Sequence, residues 1–252
     1  MEIAAVIPAR YQSNRFPGKP LAEIAGIPMI NRVYKRVKQV NSLNQVIVAT
    51  DDKRIYKTVV NNGGRARMTS SEHKSGTDRI AEVARDLDCD IIVNVQGDEP
   101  LIKPEMITQA IRPFFNNNEL KMSTLKKKIQ DKSEINDSNI VKVVTDLNDN
   151  ALYFSRLSLP FFRNETGIDV YKHIGLYVFT RDFLLKYTEM EPTPLESTES
   201  LEQLRVLENG YRIKVIETEY SSTGVDVPED IKKVEKILAK KGDLAGGESK
   251  KG

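Results

Sequence analysis

Apolar positions in this chain fall into short continuous runs separated by stretches of helical periodicity. Ile3 to Ile7 is an unbroken apolar run, the pattern of a buried strand, and it breaks at Pro8 into a polar loop. In IAGIPMINRVYKRVKQV, the positions Ile30, Val33, Tyr34, Val37 and Val40 share one helical face with Arg and Lys opposite, which predicts an amphipathic helix. The β-rich run QVIVAT ends at Asp51 and Asp52, and RIYKTVVNNGG reads as a helix capped by one of these aspartates and stopped by Gly63 and Gly64. Ala66 to Met68 predicts a third strand. A helix beginning near Thr77, with Thr77 or Asp78 as its cap, turns Ile80, Val83, Ala84 and Leu87 inward. Ile91 to Val95 is apolar but for Asn94, as expected of a central parallel strand. Strand and helix thus alternate, which predicts a parallel sheet with right-handed crossovers.

After a helix from Pro104 to Asn116 the rhythm changes. KMSTLKKKI, IVKVVTD, ALYFSR and VYKHIGLYVFT are short strands joined by polar turns, predicting a mixed or antiparallel extension near residues 120–180. Helical signals return at TRDFLLKY and at STESLEQLRVLENGYRI, read as one helix carrying Glu202 and Gln203 and ended by Gly210. A last strand, IKVIET, precedes a helix started by a proline just after Asp226. The expectation is a single α/β domain over 1–240, with a β subregion near 120–180 and a small, polar, disordered tail at 241–252.

Composition narrows the function classes. Across 252 residues, 38 Lys plus Arg against 36 Asp plus Glu leave a net charge of +2, which gives no global attraction to nucleic acid or membrane, so any electrostatic function must be local. The one cysteine, Cys89, cannot form an internal disulfide and reads as a small buried thiol. No apolar run approaches a membrane span and Met1 leads straight into a strand, so the expected place is the cytoplasm.

Candidate chemistry gathers where strands end. The loop after the first strand carries Arg10, Arg15 and Lys19, and in open α/β sheets ligands bind beyond the carboxyl ends of the strands. Gly18 is its only glycine, so neither a dinucleotide fingerprint nor a P-loop is present and side-chain charge would have to hold an anion; a solvated basic loop would look the same. The fourth strand ends in Gln96, Gly97, Asp98, Glu99 and Pro100. Asp98 suits Mg²⁺, which takes one or two carboxylates and completes its shell with water and phosphate oxygens, although QGDEP is also an ordinary strand-to-turn sequence. The loop His73 to Gly76 could offer amides to a phosphate or a base edge, with Arg79 within reach in the first helical turn. His73 itself reads as solvent-exposed. Period 2 puts His173 and Tyr177 on one sheet face, either solvated or lining a pocket for a hydroxylated ligand.

Seven motifs in order, PARYQSNRFPGKPL, HKSGTDR, NVQGDEPLI, ALYFSR, KHIGLYVF, LEQLRVLENG and GVDVPED, closely resemble the 3-deoxy-D-manno-octulosonate (Kdo) cytidylyltransferases, the CMP-Kdo synthetase family, from Ala4 to about Lys236. The resemblance implies a Rossmann-like nucleotidyltransferase fold and an enzyme that activates Kdo with CTP, giving CMP-Kdo and pyrophosphate for lipopolysaccharide biosynthesis. It implies Mg²⁺ as cofactor, held by Asp98 and Asp226, and a homodimer. Arg10, Arg15 and Lys19 would hold the triphosphate, with Arg15, Lys19, Asp98 and Asp226 carrying catalysis. Ser75 and Arg79 would seat the cytidine, and Gln96, Arg156, His173, Tyr177, Glu202 and Gln203 would bind the sugar acid. A cytidylyltransferase for a related acidic sugar, 8-amino-Kdo or sialic acid, or a non-catalytic nucleotide-binding module, are the alternatives.

Overall fold

The first strand, β1 (Ile3–Ala9), is buried along almost its whole length, as its two-sided apolar sequence requires. The structure is a computed structural model that describes residues 1–13, 15–164 and 167–242. The expected disorder of the tail from residue 243 onward lies outside the described residues. The chain divides into two units, Met1–Thr108 with the chain from Ser221 onward, and Gln109–Tyr220.

In the first unit a tight hairpin, β2 (Glu23–Ile24) and β3 (Ile27–Pro28), turns through Ala25 and Gly26, both at positive φ, and leads into α1 (Met29–Val37). Ile30, Val33 and Val37 are buried as their spacing predicts. The opposite face is less simple than expected: Arg32 is also buried, because its Nε donates to the Ile24 carbonyl at 2.7 Å and ties the helix to the hairpin. There follow β4 (Gln45–Thr50), α2 (Lys53–Asn61), β5 (Ala66–Met68), α3 (Gly76–Arg85), β6 (Ile91–Asn94) and α4 (Pro104–Ile111). Strands β6, β1, β4 and β5 lie in that order and each pairing is parallel. Asp52 caps α2, its carboxylate accepting from the Arg54 and Ile55 amides. Cys89 is buried and free.

The second unit is mixed. It contains β7 (Met122–Lys128), β8 (Lys142–Thr145), β9 (Ala151–Ser155), β10 (Tyr171–Thr180), α5 (Arg181–Thr188), α6 (Pro194–Glu199), α7 (Gln203–Glu208) and β11 (Ile213–Glu217). β10 runs antiparallel to β7 and β8, β8 antiparallel to β9, and β11 parallel to β7. The single helix expected across STESLEQLRVLENG is two: Ser200 takes a left-handed φ of 53° and ends α6. Arg205 bridges the break, with Nε and Nη2 on the two carboxylate oxygens of Glu196.

The chain then returns to the first unit through α8 (Pro228–Lys241). Val234 and Leu238 of α8 pack with Ile24, Met29, Leu101 and Val225 in one apolar cluster, which anchors the backbone immediately before Asp226. The class is α/β, with a mostly parallel sheet, helices on both faces and a smaller antiparallel component.

Candidate active site

Beyond β1 the basic loop doubles back: the Gly18 amide donates to the Tyr11 carbonyl at 2.8 Å, and Gly18 adopts a φ of 73° that favours glycine. This delivers Lys19 to the start of a one-turn 3₁₀ helix, Lys19–Leu21. Its Nζ donates to Asp98 Oδ2 at 2.5 Å and to the Val225 carbonyl at 2.9 Å, and lies 3.8 Å from Asp226 Oδ1. Arg15 Nη2 reaches the same Asp226 oxygen at 3.2 Å. Four side chains from three segments remote in sequence therefore converge within the first unit. Arg10 is exposed, directly after β1.

Asp226 is brought there by two local devices. The Val225 amide donates to the Asp98 carbonyl at 2.9 Å, fastening the two segments backbone to backbone. The Asp230 carboxylate, in the first turn of α8, accepts from the Asp226 and Val227 amides at 3.0 and 3.2 Å. On the other segment, a Cβ at Gly97 would stand 2.7 Å from the Pro8 carbonyl, so only glycine lets the turn after β6 lie this close to β1.

The two carboxylates fit a hard divalent ion. They already share one cation, the Lys19 ammonium, which marks a common electrostatic focus. Two carboxylates would leave the rest of an octahedral shell to water and phosphate oxygens, the donor set that Mg²⁺ takes. Beside them is a carboxyl that the sequence did not single out for a role. Desolvation pushes the pKa of the half-buried Glu99 up to about 7, against the opposing hydrogen bond from Ser222 Oγ and with the charges of Asp98 and Asp226 adding to the rise. Nothing in YSSTG signalled Ser222 as its partner.

The loop before α3 differs from expectation in three ways. Ser75, not Thr77 or Asp78, is the cap: its Oγ accepts from the Asp78 amide at 3.0 Å while Asp78 accepts from the Ser75 amide at 3.1 Å. His73 is not solvent-exposed but half-buried against Glu82, whose carboxylate also accepts from the Ser70 amide. Arg79, only 3% exposed, is engaged within the protein: Nη2 pairs with Asp51 at 2.9 Å, and Nη1 donates to Thr69 Oγ1 at 2.5 Å and the Ser70 carbonyl at 3.1 Å. Arg79 therefore ties the 69–70 segment to Asp51 instead of presenting a free guanidinium. Gln96 is half-buried, its Nε2 donating to Asn94 Oδ1 at 3.3 Å.

In the second unit His173 and Tyr177 do share a face, their ring centroids 5.5 Å apart. His173 Nε2 meets Thr124 Oγ1 at 2.9 Å and its ring stands edge-on to Phe154 at 5.0 Å. Desolvation pushes the His173 pKa down to about 3, so the imidazole is neutral near pH 7. Burial also raises the Tyr177 pKa, with Glu202 adding to it, so that phenol keeps its proton and donates to Gln203 Oε1 at 3.1 Å. Gln203 is buried, and its Nε2 has no partner among the described residues. An orphaned buried amide is costly, and a ligand hydroxyl would satisfy it. Glu202 is exposed at the start of α7. Arg156 is half-buried, donating from Nε to the Glu199 carbonyl at 2.9 Å and from Nη1 to the Ser138 carbonyl at 3.1 Å. The structure thus gathers the expected residues in two sets: Arg15, Lys19, Asp98 and Asp226 in the first unit, and His173, Tyr177 and Gln203 in the second.

The profile of the family described as Cytidylyltransferase matches residues 4–216. The fold is that of a nucleotidyltransferase of this kind. A 3-deoxy-manno-octulosonate cytidylyltransferase of Geobacter metallireducens is 54% identical over 95% of this chain and 99% of its own length, and one of Fusobacterium nucleatum is 54% identical over 93% and 96%. A solved CMP:2-keto-3-deoxy-manno-octonic acid synthetase complexed with CTP superposes with a TM-score of 0.92 at 40% identity, covering 96% of this chain and all of its own. The 4-diphosphocytidyl-2C-methyl-D-erythritol synthase of Anaerococcus prevotii, 17% identical with a TM-score of 0.62 over 94% of this chain and 98% of its own, shares the fold. The chain belongs to the 3-deoxy-manno-octulosonate cytidylyltransferase family.

Proposed function

We propose that this chain transfers the cytidylyl group of CTP to Kdo, forming CMP-Kdo and pyrophosphate for lipopolysaccharide biosynthesis. The observation that carries this reading is the Lys19 ammonium shared by Asp98, in the turn after β6, and Asp226, at the entry to α8, with Arg15 alongside. The anomeric hydroxyl oxygen of the sugar acid bonds to the α-phosphorus as the bond to the pyrophosphate oxygen breaks, and the hydroxyl proton passes to water. Little covalent work falls to the protein, so alignment and charge neutralisation carry the rate.

A Mg²⁺ ion held by Asp98 and Asp226 would supply Lewis-acid charge to the phosphate oxygens. Lys19, with Arg15 and Arg10, would pair with the triphosphate and the leaving pyrophosphate. Ser75 and the loop shaped by Arg79 would seat the cytidine. Arg156 would pair with the sugar carboxylate, while Gln96, His173, Tyr177, Glu202 and Gln203 would hydrogen-bond its hydroxyls. The neutral His173 and Tyr177 suit such contacts, since neither brings a charge that would compete with the carboxylate.

Exposed Leu157, Phe161, Phe162 and Ile168 support a homodimer formed through this segment of the second unit. Phe154, on the neighbouring strand β9, is fully buried and is not available to that surface. Among the described residues no helix is long and apolar enough to cross a membrane, in keeping with a cytoplasmic enzyme. The reading is tested by pyrophosphate release with CTP and Mg²⁺ across a panel of Kdo, 8-amino-Kdo and sialic acid. Turnover is expected to be fastest with Kdo; turnover of sialic acid without turnover of Kdo would overturn the assignment.

A further inference from the structure

Lys142 lies on β8 with no exposed surface at all and is among the largest fully buried side chains of the chain. Burying an ammonium is expensive unless each of its protons is met. Here all three are: Nζ donates to the carbonyls of Asp137, Ile140 and Arg156 at 2.8, 2.6 and 2.6 Å. Its hydrogen-bond partners are backbone oxygens, not carboxylates. A strand position between Ser155 of β9 and Lys172 of β10 could be filled by an aliphatic side chain, so strand pairing does not explain a cation here.

The three carbonyls belong to the surroundings of one residue. Two come from the 137–140 loop, whose Ser138 carbonyl accepts from Arg156 Nη1, and the third is that of Arg156 itself. From the other side Glu199 completes the grip. Its carboxylate accepts from the Arg156 amide at 3.0 Å and from Ser155 Oγ at 2.6 Å, and its carbonyl accepts from Arg156 Nε at 2.9 Å. Arg156 is therefore held at its amide, its carbonyl, its Nε and one Nη1 proton. What remains is Nη2, without a partner among the described residues, and the second proton of Nη1. Those two nitrogens are the end-on edge of the guanidinium, which matches the two oxygens of a carboxylate.

We propose that Lys142 and Glu199 are positioning residues that fix Arg156 so that only its end-on edge is left for the carboxylate of the sugar acid. They act through Arg156 and do not touch the substrate. The proposal rests on Arg156 being the carboxylate's partner, as in the proposed function.

Steady-state pyrophosphate release separates the two claims. KM for Kdo and KM for CTP are measured for wild-type enzyme and for K142M, E199Q, R156Q, K142M/R156Q and E199Q/R156Q, with circular dichroism confirming the fold. R156Q is expected to raise KM for Kdo about tenfold or more while KM for CTP stays within about twofold. K142M and E199Q should each raise KM for Kdo severalfold in the same selective way, and each double variant should be no worse than R156Q alone, because an effect routed through Arg156 vanishes once its guanidinium is gone. A merely structural role would give multiplying effects and would move both KM values. An unchanged Kdo KM in R156Q would remove the carboxylate assignment and this inference with it. A raised Kdo KM in R156Q, with K142M and E199Q either silent or multiplying with it, would overturn the positioning role alone. Where K142M does not fold, the E199Q cycle decides by the same criteria.

Discussion

At the scale of single residues, the charge state of a side chain follows from what surrounds it. His173 has an ordinary imidazole in the unfolded chain, with a pKa near 6.5, but desolvation holds it near 3 in the folded protein. Its contribution to stability is complete above pH 6.5 and is lost progressively as pH falls from there toward 3, since the unfolded chain then binds a proton that the native ring refuses. Urea unfolding of wild type and H173Q between pH 7.5 and 5 should therefore give curves that diverge, the wild type losing up to about 1.4 kcal/mol more per pH unit. Parallel curves would contradict the account. Residue chemistry was unevenly legible in the sequence. Lys19 and Asp98 declared themselves by lying at strand ends, whereas Asp226 taken alone reads as a helix-entry residue. Its role emerges only when the Val225 amide and the Asp230 carboxylate bring it to Lys19. Lys142 gave no signal at all, because a lysine in a strand reads as solvated, and carbonyls of the 137–140 loop and of Arg156 converging on its ammonium cannot be foreseen from spacing.

At the scale of elements, the periodicities translated well where burial is one-sided or complete. β1, β4 and β6 are buried runs and form parallel pairs, and α1 turns Ile30, Val33 and Val37 inward. The misreadings were local. The α3 cap moved to Ser75 because a reciprocal serine and aspartate pair satisfies two amides where Thr77 would satisfy neither. The helix expected around Glu202 split at Ser200 because its left-handed backbone ends the first segment. The turn after β6 depends on contact between two backbones. Gly97→Ala would place a Cβ 2.7 Å from the Pro8 carbonyl, and no side-chain rotation can relieve a clash with main chain. The variant should lose about 1–3 kcal/mol of stability by urea denaturation. It should also lose activity, since any shift of this turn carries Asp98 away from Lys19. Wild-type stability together with wild-type turnover would show that the turn is not so constrained.

At the scale of the whole molecule, the chain assembles its chemistry from segments remote in sequence, and the βα rhythm of the first unit and the mixed strands of the second were both visible in the pattern. What was not visible was the return of the chain, through α8, to deliver Asp226 to the first unit. That return is what brings a second carboxylate to the basic loop and the acidic turn after β6. The most direct test is pyrophosphate release from CTP, Kdo and Mg²⁺ by D98N and D226N, with circular dichroism to confirm folding. The account predicts that each variant folds and loses turnover by about a hundredfold or more. Near-normal release by either folded variant would contradict it.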